Sequence, residues 1–267
     1  MPVPIDVDPV MIGQWVGHHL LPLFRVASFM MTLPLLGTQL VPMRVRILFA
    51  LLFTLLIVPW LPPGPTFDAV SLAMIPLVLE QILIGSALGF AVIFLFQLFV
   101  VGGQMVAMQM GLGFASMVDP ANGVSVPVLA QFYLITVNLL FLAMNGHLVA
   151  FEVFAESFRA LPIGEGLLGA GLVDQDLWWL LAHRITWLFV AAMMLALPAM
   201  TAVLIVNIAF GVMTKAAPQM NIFSLGFPIG LLFGLLAVWV MHSGFQPQFQ
   251  ILSEETFAFM RELQGLP

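Results

Sequence analysis

Polar positions are so sparse along this chain that uninterrupted apolar runs, rather than any alternation, define its elements. They fall at about Val26–Leu40, Ile47–Leu61, Ile75–Val101, Val128–Met144, Ile185–Phe210 and Ile222–Met241. Each is too long and continuous for the alternating strand of a membrane barrel, so each predicts a helix. The first two are shorter than the roughly 20 residues of a full span, and only Val41-Pro-Met-Arg-Val-Arg46 separates them. Half-spans, a tight hairpin and helices buried inside a protein assembly all fit that pattern. Leu61-Pro-Pro-Gly-Pro65 breaks the chain before the third run. The predicted fold class is all-α and membrane-type, with about six hydrophobic helices in one polytopic domain over residues 1–267.

One run departs from this pattern. From Gln81 to Val118 the chain carries no charge, yet the stretch is expected to lose its helical regularity at Gly102-Gly103-Gln104-Met105. A glycine-rich segment from Gly111 through Asp119-Pro120 to Gly123 follows. Irregular backbone at membrane depth cannot face lipid, because its amides and carbonyls would go unpaired. It must pack in protein or line a cavity, which points to a gate or pore element. Met105, Met108, Met110 and Met117 cluster around it. Unbranched thioether side chains re-pack easily, which suits a seal that yields to varied cargo.

Breakers also lie inside the runs: Pro34, Pro76, Pro198 and Pro228. Gly226, Gly230 and Gly234 recur at i, i+4 and i+8, and Gly85 and Gly89 at i and i+4, so each set is expected to admit close approach by another helix. Gln97, Gln104 and Met108 share a helix face, as do Asn138 and Asn145, and such side chains bond between helices. Glu80 sits early in the longest run and Arg25 heads the first. A carboxylate inside such a segment is costly unless paired, so the two form a candidate buried charge pair, the alternative being that Glu80 reaches headgroup or water.

Composition sharpens this picture. With 62% hydrophobic and 7% charged residues and a mean hydropathy of +1.12, the chain lies far from the roughly 25% charge of a soluble domain. The net charge of −6 is dispersed, and no basic patch suggests nucleic acid. There is no cysteine, and the five histidines show no metal-ligand spacing. No nucleophile, base or metal set emerges, so neither an enzyme, a cofactor nor a metal site is expected. Arg44, Arg46 and Lys215 mark cytoplasmic loops, which puts the acidic stretch Glu152 to Asp176 and both termini outside. The N-terminus has no basic n-region of the kind a cleavable signal carries.

Three segments carry a family resemblance: Gly103 to Pro120, Ala143-Met-Asn-Gly-His147, and Phe210 through Lys215 and Gln219 to Gly230. They resemble the FliR family, the flagellar members of the FliR/SctT export-gate proteins of type III secretion, and the similarity covers essentially the whole chain. The resemblance implies a subunit that assembles with FliP and FliQ into a helical, pore-containing core at the base of the flagellar rod. It would work there with FlhB and FlhA on unfolded export substrates. It also implies a FliP-like part over residues 1–150 and a FliQ-like hairpin with C-terminal tail over 178–267. A plug loop at about 106–126 would include Met110, Gly111, Gly113, Phe114, Met117, Asp119, Pro120 and Gly123. The implied location is the bacterial inner membrane at the flagellar basal body, projecting toward the periplasmic side. Lys215 and Gln219 match a cytoplasmic-side turn. An injectisome homologue would share fold and gate but carry other substrates. A small-solute transporter would want an inverted repeat, and no internal repeat is visible.

Overall fold

A computed structural model of the chain describes residues 9–37, 41–61, 74–112, 127–164, 175–216 and 222–266. Among these the chain is helical, with no strand. The helices are α1 (Pro9–Thr32), α2 (Met43–Ile57, extended by a 3-10 turn at Val58–Trp60), α3 (Met74–Gln109) and α4 (Val128–Ala143), then α5 (Gly146–Ala160), α6 (Gln175–Ala216), α7 (Ile222–His242) and α8 (Phe245–Glu262). Among the described residues, three stretches are long and apolar enough to cross a membrane, or up to five if the broken pairs α4/α5 and α7/α8 each count as one span.

The all-α membrane-type fold is as the apolar runs predict, but the helix inventory is larger. Neither α5 nor α8 belongs to an apolar run. Both are amphipathic: α5 buries Ala150, Val153, Phe154, Ser157 and Phe158 while Glu152 and Arg159 face out. In α8, Leu252 and Ser253, Thr256 and Phe257, and Phe259 and Met260 are buried in pairs at the 3.6-residue period. The first helix is also displaced. It starts at Pro9, passes through Pro22 and ends at Thr32, so Pro34 lies beyond its end. Pro76 falls in the first turn of α3, where a missing amide costs nothing. Pro198 and Pro228 stand inside α6 and α7 without ending them.

Two compact units divide the chain. One comprises Met1–Ile93, His147–Leu181 and Glu255–Pro267, the other Phe94–Gly146 and Ala182–Glu254. In the first, α1 packs on α2 and against the start of α3. Phe29 of α1 stacks on Phe154 of α5 with centroids 4.2 Å apart and meets Phe151 edge-on at 5.8 Å. Phe53 of α2 joins the same aromatic cluster at 5.0 Å from Phe151.

In the second unit Phe96 packs on Phe141 of α4 at 5.2 Å, and Phe99 on Phe245 at 5.0 Å and Phe249 at 5.9 Å. The expected loss of helix at Gly102-Gly103 does not occur: α3 runs through both to Gln109. Packing explains the pair. A Cβ on Gly102 would stand 2.9 Å from Leu195 Cδ2 and 3.2 Å from the Ala192 carbonyl oxygen of α6. One on Gly103 would stand 2.9 Å from the Ala130 Cα of α4. These glycines let three helices close on one another, and the helix holds because its neighbours require their bareness.

Candidate functional site

The irregular segment begins eight residues later than Gly102, at Met110. The Gly111 amide donates to the Met108 carbonyl at 3.1 Å and the Leu112 amide to the Ala107 carbonyl at 2.9 Å. With Gly111 at φ +81°, this is a Schellman cap, in which a left-handed glycine pairs the last free carbonyls of the helix. Residues 106–109, the start of the expected plug loop, are therefore helical. Met110 is buried, and its side chain lies where a Cβ on Gly234 of α7 would meet its Cγ at 2.5 Å. The chain re-enters helix at Pro127, the N-cap of α4, whose carbonyl accepts the Ala130 amide at 3.0 Å. Gly113, Phe114, Met117, Asp119, Pro120 and Gly123 lie outside the described residues.

Beside these two ends lies a cavity of about 590 Å³. Leu112, Val128, Leu129 and Phe132 line it from the α3 and α4 side, Leu231, Leu235, Val238 and Trp239 from α7, and His242 completes it. His242 brings the one ionisable group in this lining, and its ring rests against Phe132 and Phe245 at 5.7 Å each. Such a wall offers apolar contact and no hydrogen-bonding set with which to orient a small polar solute. Of the other α7 glycines, Gly230 is buried with its Cβ position 3.5 Å from Asn207 Oδ1 of α6, an ordinary contact, and Gly226 is half-buried.

The buried charge lies in the first unit. Arg25 and Glu80 are both fully or almost fully buried, so Glu80 reaches neither headgroup nor water. Burial pulls the pKa of the Arg25 guanidinium down to about 9, and the Glu80 charge offsets only part of that; the guanidinium's hydrogen bonds go elsewhere. Nε donates to Gln81 Oε1 at 2.7 Å, one terminal nitrogen to the Ser157 carbonyl at 2.9 Å, and the other to the Leu161 carbonyl at 2.9 Å. The fork thus closes the C-terminus of α5, where carbonyls lack helical partners and the dipole is negative. The Phe158 ring covers it at 4.5 Å. Gly85 and Gly89 make room for this arrangement. A Cβ on Gly85 would clash with the Arg25 carbonyl and Ser28 hydroxyl, and one on Gly89 with the Thr32 hydroxyl. Nearby, Gln264 Nε2 donates to the Val153 carbonyl at 3.0 Å, tying the chain beyond α8 to α5.

Two polar readings change on structure. Asn145 is not on the α4 face with Asn138, because the helix has ended and Asn145 turns the chain at φ +57°. Asn138 Nδ2 donates to Leu134 of its own helix at 2.8 Å. Gln97 and Met108 are exposed on α3 and Gln104 half-exposed, so this face is open in the isolated chain. No group of three or more histidine, cysteine or carboxylate residues is placed to hold a metal among the described residues. Sequence reasoning missed the Ser157 and Leu161 carbonyls, which no side-chain pattern announces. It also missed the cap at Gly111, although a glycine just past a long helical run is a stop signal.

Comparison with known proteins gives this geometry a family. Residues 16–256 match the family described as bacterial export proteins, family 1. The chain is 35% identical over 252 residues to the Flagellar biosynthetic protein FliR of Escherichia coli strain K12, covering 94% of each chain. It is 34% identical to the FliR of Pectobacterium carotovorum, again over 94% of each. Identity to the FliR of Bacillus subtilis is 25%, over 79% of this chain and 80% of that one. The helical membrane chain described above belongs to the FliR family of bacterial export proteins.

Proposed function

We propose that this chain is a core subunit of the flagellar type III export gate. It assembles with FliP and FliQ into the pore through which unfolded axial proteins leave the cell, and it works with FlhB and FlhA. Residues 1–150 form a FliP-like part and 178–267 a FliQ-like hairpin and tail. The complex sits in the inner membrane at the flagellar basal body and projects toward the periplasmic side. The role is non-enzymatic. One observation carries the flagellar reading over the injectisome one: 94% of the chain aligns with 94% of proteins named flagellar biosynthetic.

The plug is residues 110–126. Its mechanism is steric: the segment fills the pore at rest and swings aside for an entering chain. Gly111, Gly113 and Gly123 supply backbone freedom, and Phe114 and Met117 the seal. Support comes from the Schellman cap, which gives the segment a fixed root, and from Met110 seated against Gly234. The wide exposure of α6 and α7, with Ile205, Leu232 and Trp239 at 65–74%, suits helices meant for partners.

The test is affinity purification of the tagged chain, co-expressed with its genomic neighbours, followed by mass spectrometry of the intact complex. Recovery with FliP-like and FliQ-like subunits in a fixed ratio is the expected result. A stable particle of this chain alone would overturn the assembly, and the transporter reading would return.

A further inference from the structure

Two exposed apolar helices of this chain differ in what their open faces offer. With its 3-10 extension, α2 runs 18 residues from Met43 to Trp60. That is about 28 Å from the rises of the two helix types, against a hydrocarbon core of about 30 Å. Only 17% of this stretch is buried, whereas the figure for α3 is 61%. Its buried residues, Ala50, Thr54 and Val58, fall at i, i+4 and i+8 on one narrow line. The Thr54 hydroxyl donates back to the Ala50 carbonyl at 2.7 Å and asks for no outside partner.

The remaining arc is built from Ile47, Leu48, Leu51, Leu52, Leu55 and Leu56, all exposed. It holds no glycine, serine or amide. Helices that pack together in hydrocarbon use small residues for close approach and polar side chains for bonding; this arc supplies neither. By contrast α6 exposes Thr201, Asn207, Ala209 and Gly211, and a Cβ on Gly211 would meet nothing within 4 Å. The ends of α2 carry a second signal. Arg44 is exposed at its start beside Arg46, and Trp60 is 78% exposed at its finish. Basic residues at one end and an indole at the other are the anchors of a helix held across a bilayer.

The geometry points to α2 as the lipid-contacting helix of the assembled complex, its arc covered by acyl chains and its Arg44–Arg46 end seated among anionic headgroup phosphates. This rests on the proposed assembly, which leaves protein to cover the open face of α6.

The chain lacks cysteine, so single cysteines at Leu52, Leu55 and Ala209 can carry nitroxide labels. The purified complex is placed in discs of phosphatidylethanolamine and phosphatidylglycerol, and collisions with oxygen and with a water-soluble nickel chelate are measured. The expected oxygen-to-nickel ratio at Leu52 and Leu55 is several-fold above that of a label in water, with a mobile spectrum. At Ala209 both collision rates are low and the label is immobilised. A label at Leu52 that is immobilised and shielded from both reagents would mean that protein covers α2, and a high nickel rate would mean water; either overturns the proposal. The double variant R44Q/R46Q is expected to lose several-fold of its retained phosphatidylglycerol by native mass spectrometry, and unchanged retention overturns the headgroup contact. Native mass is read first. If the chain joins no partner, the assembly reading fails by itself, and the Leu52 label on the lone chain in the same discs still decides the fate of α2.

Discussion

A single guanidinium shows how a residue holds this fold. Arg25 lies in a site with no water-facing surface, and it ties α1 to α3 through Gln81 and to the end of α5 through Ser157 and Leu161. Removing it alone strands the α5 carbonyls and leaves Glu80 buried without its cation. Arg25→Leu is therefore expected to destabilise the chain by about 3–5 kcal/mol, as when one half of a buried pair is cut. The double variant R25L/E80L should cost clearly less than the two single costs summed. Detergent-induced unfolding of all four forms measures this, and additivity within about 0.5 kcal/mol would show that the two side chains act independently. Glu156→Gln is the control. Its pair with Arg261 spans 3.7 Å with both side chains about 40% exposed, so a change within about 1 kcal/mol is expected. Both ionisable side chains are buried, and that they lie within apolar runs was legible. What the guanidinium binds was not, because main-chain carbonyls 132 and 136 residues away carry no sequence mark.

At the scale of elements, the same residue type plays opposite parts. Gly103 faces the Ala130 backbone, where a Cβ would come within 2.9 Å of Cα, while a Cβ on Gly17 of α1 would meet nothing within 4 Å. Both changes to alanine raise intrinsic helix propensity by about 1 kcal/mol. Gly103→Ala must nevertheless push α3 and α4 apart and is expected to be a net loss of about 1–3 kcal/mol. Gly17→Ala is expected to stabilise by up to about 1 kcal/mol. Unfolding midpoints that move in opposite directions would bear out this assignment, and a stabilised G103A would sink it. This contrast also explains what the chain's pattern could and could not reveal. Long apolar runs gave away α2, α3, α4, α6 and α7 because membrane-grade helices need only length and apolarity. Both α5 and α8 escaped because their apolar residues recur every three to four positions among charges, which a search for uninterrupted runs overlooks. Gly102-Gly103 was misread as a breakdown because glycine has two uses, conformational freedom and bare surface. Only the neighbours, Leu195, Ala192 and Ala130, decide between them.

For the whole molecule, the proposed gate is tested by separating the plug from the helix that carries it. The cap at Gly111 and Leu112 closes α3 through Met108 and Ala107, so a deletion that removes Gly111 would fray α3 and confuse a lost seal with a damaged scaffold. Deleting residues 113–123 instead leaves the cap, Met110 against Gly234 and the Pro127 start of α4 in the chain. This variant is expected to co-purify with its partners in the wild-type ratio while the assembled complex becomes permeable to small ions and solutes in vesicles. Gly111→Ala gives the complementary case. It keeps residues 113–123 intact but imposes a positive φ on alanine, which costs about 1 kcal/mol, so it should weaken the helix end and leave the vesicles tight. Steric sealing requires that ordering, leak from the deletion and none from the strained cap. Tight vesicles from an assembled deletion variant would show that these residues do not close the pore. The seal would then have to come from the apolar walls themselves, where Leu235, Trp239 and Phe132 already line a space whose one ionisable side chain is His242.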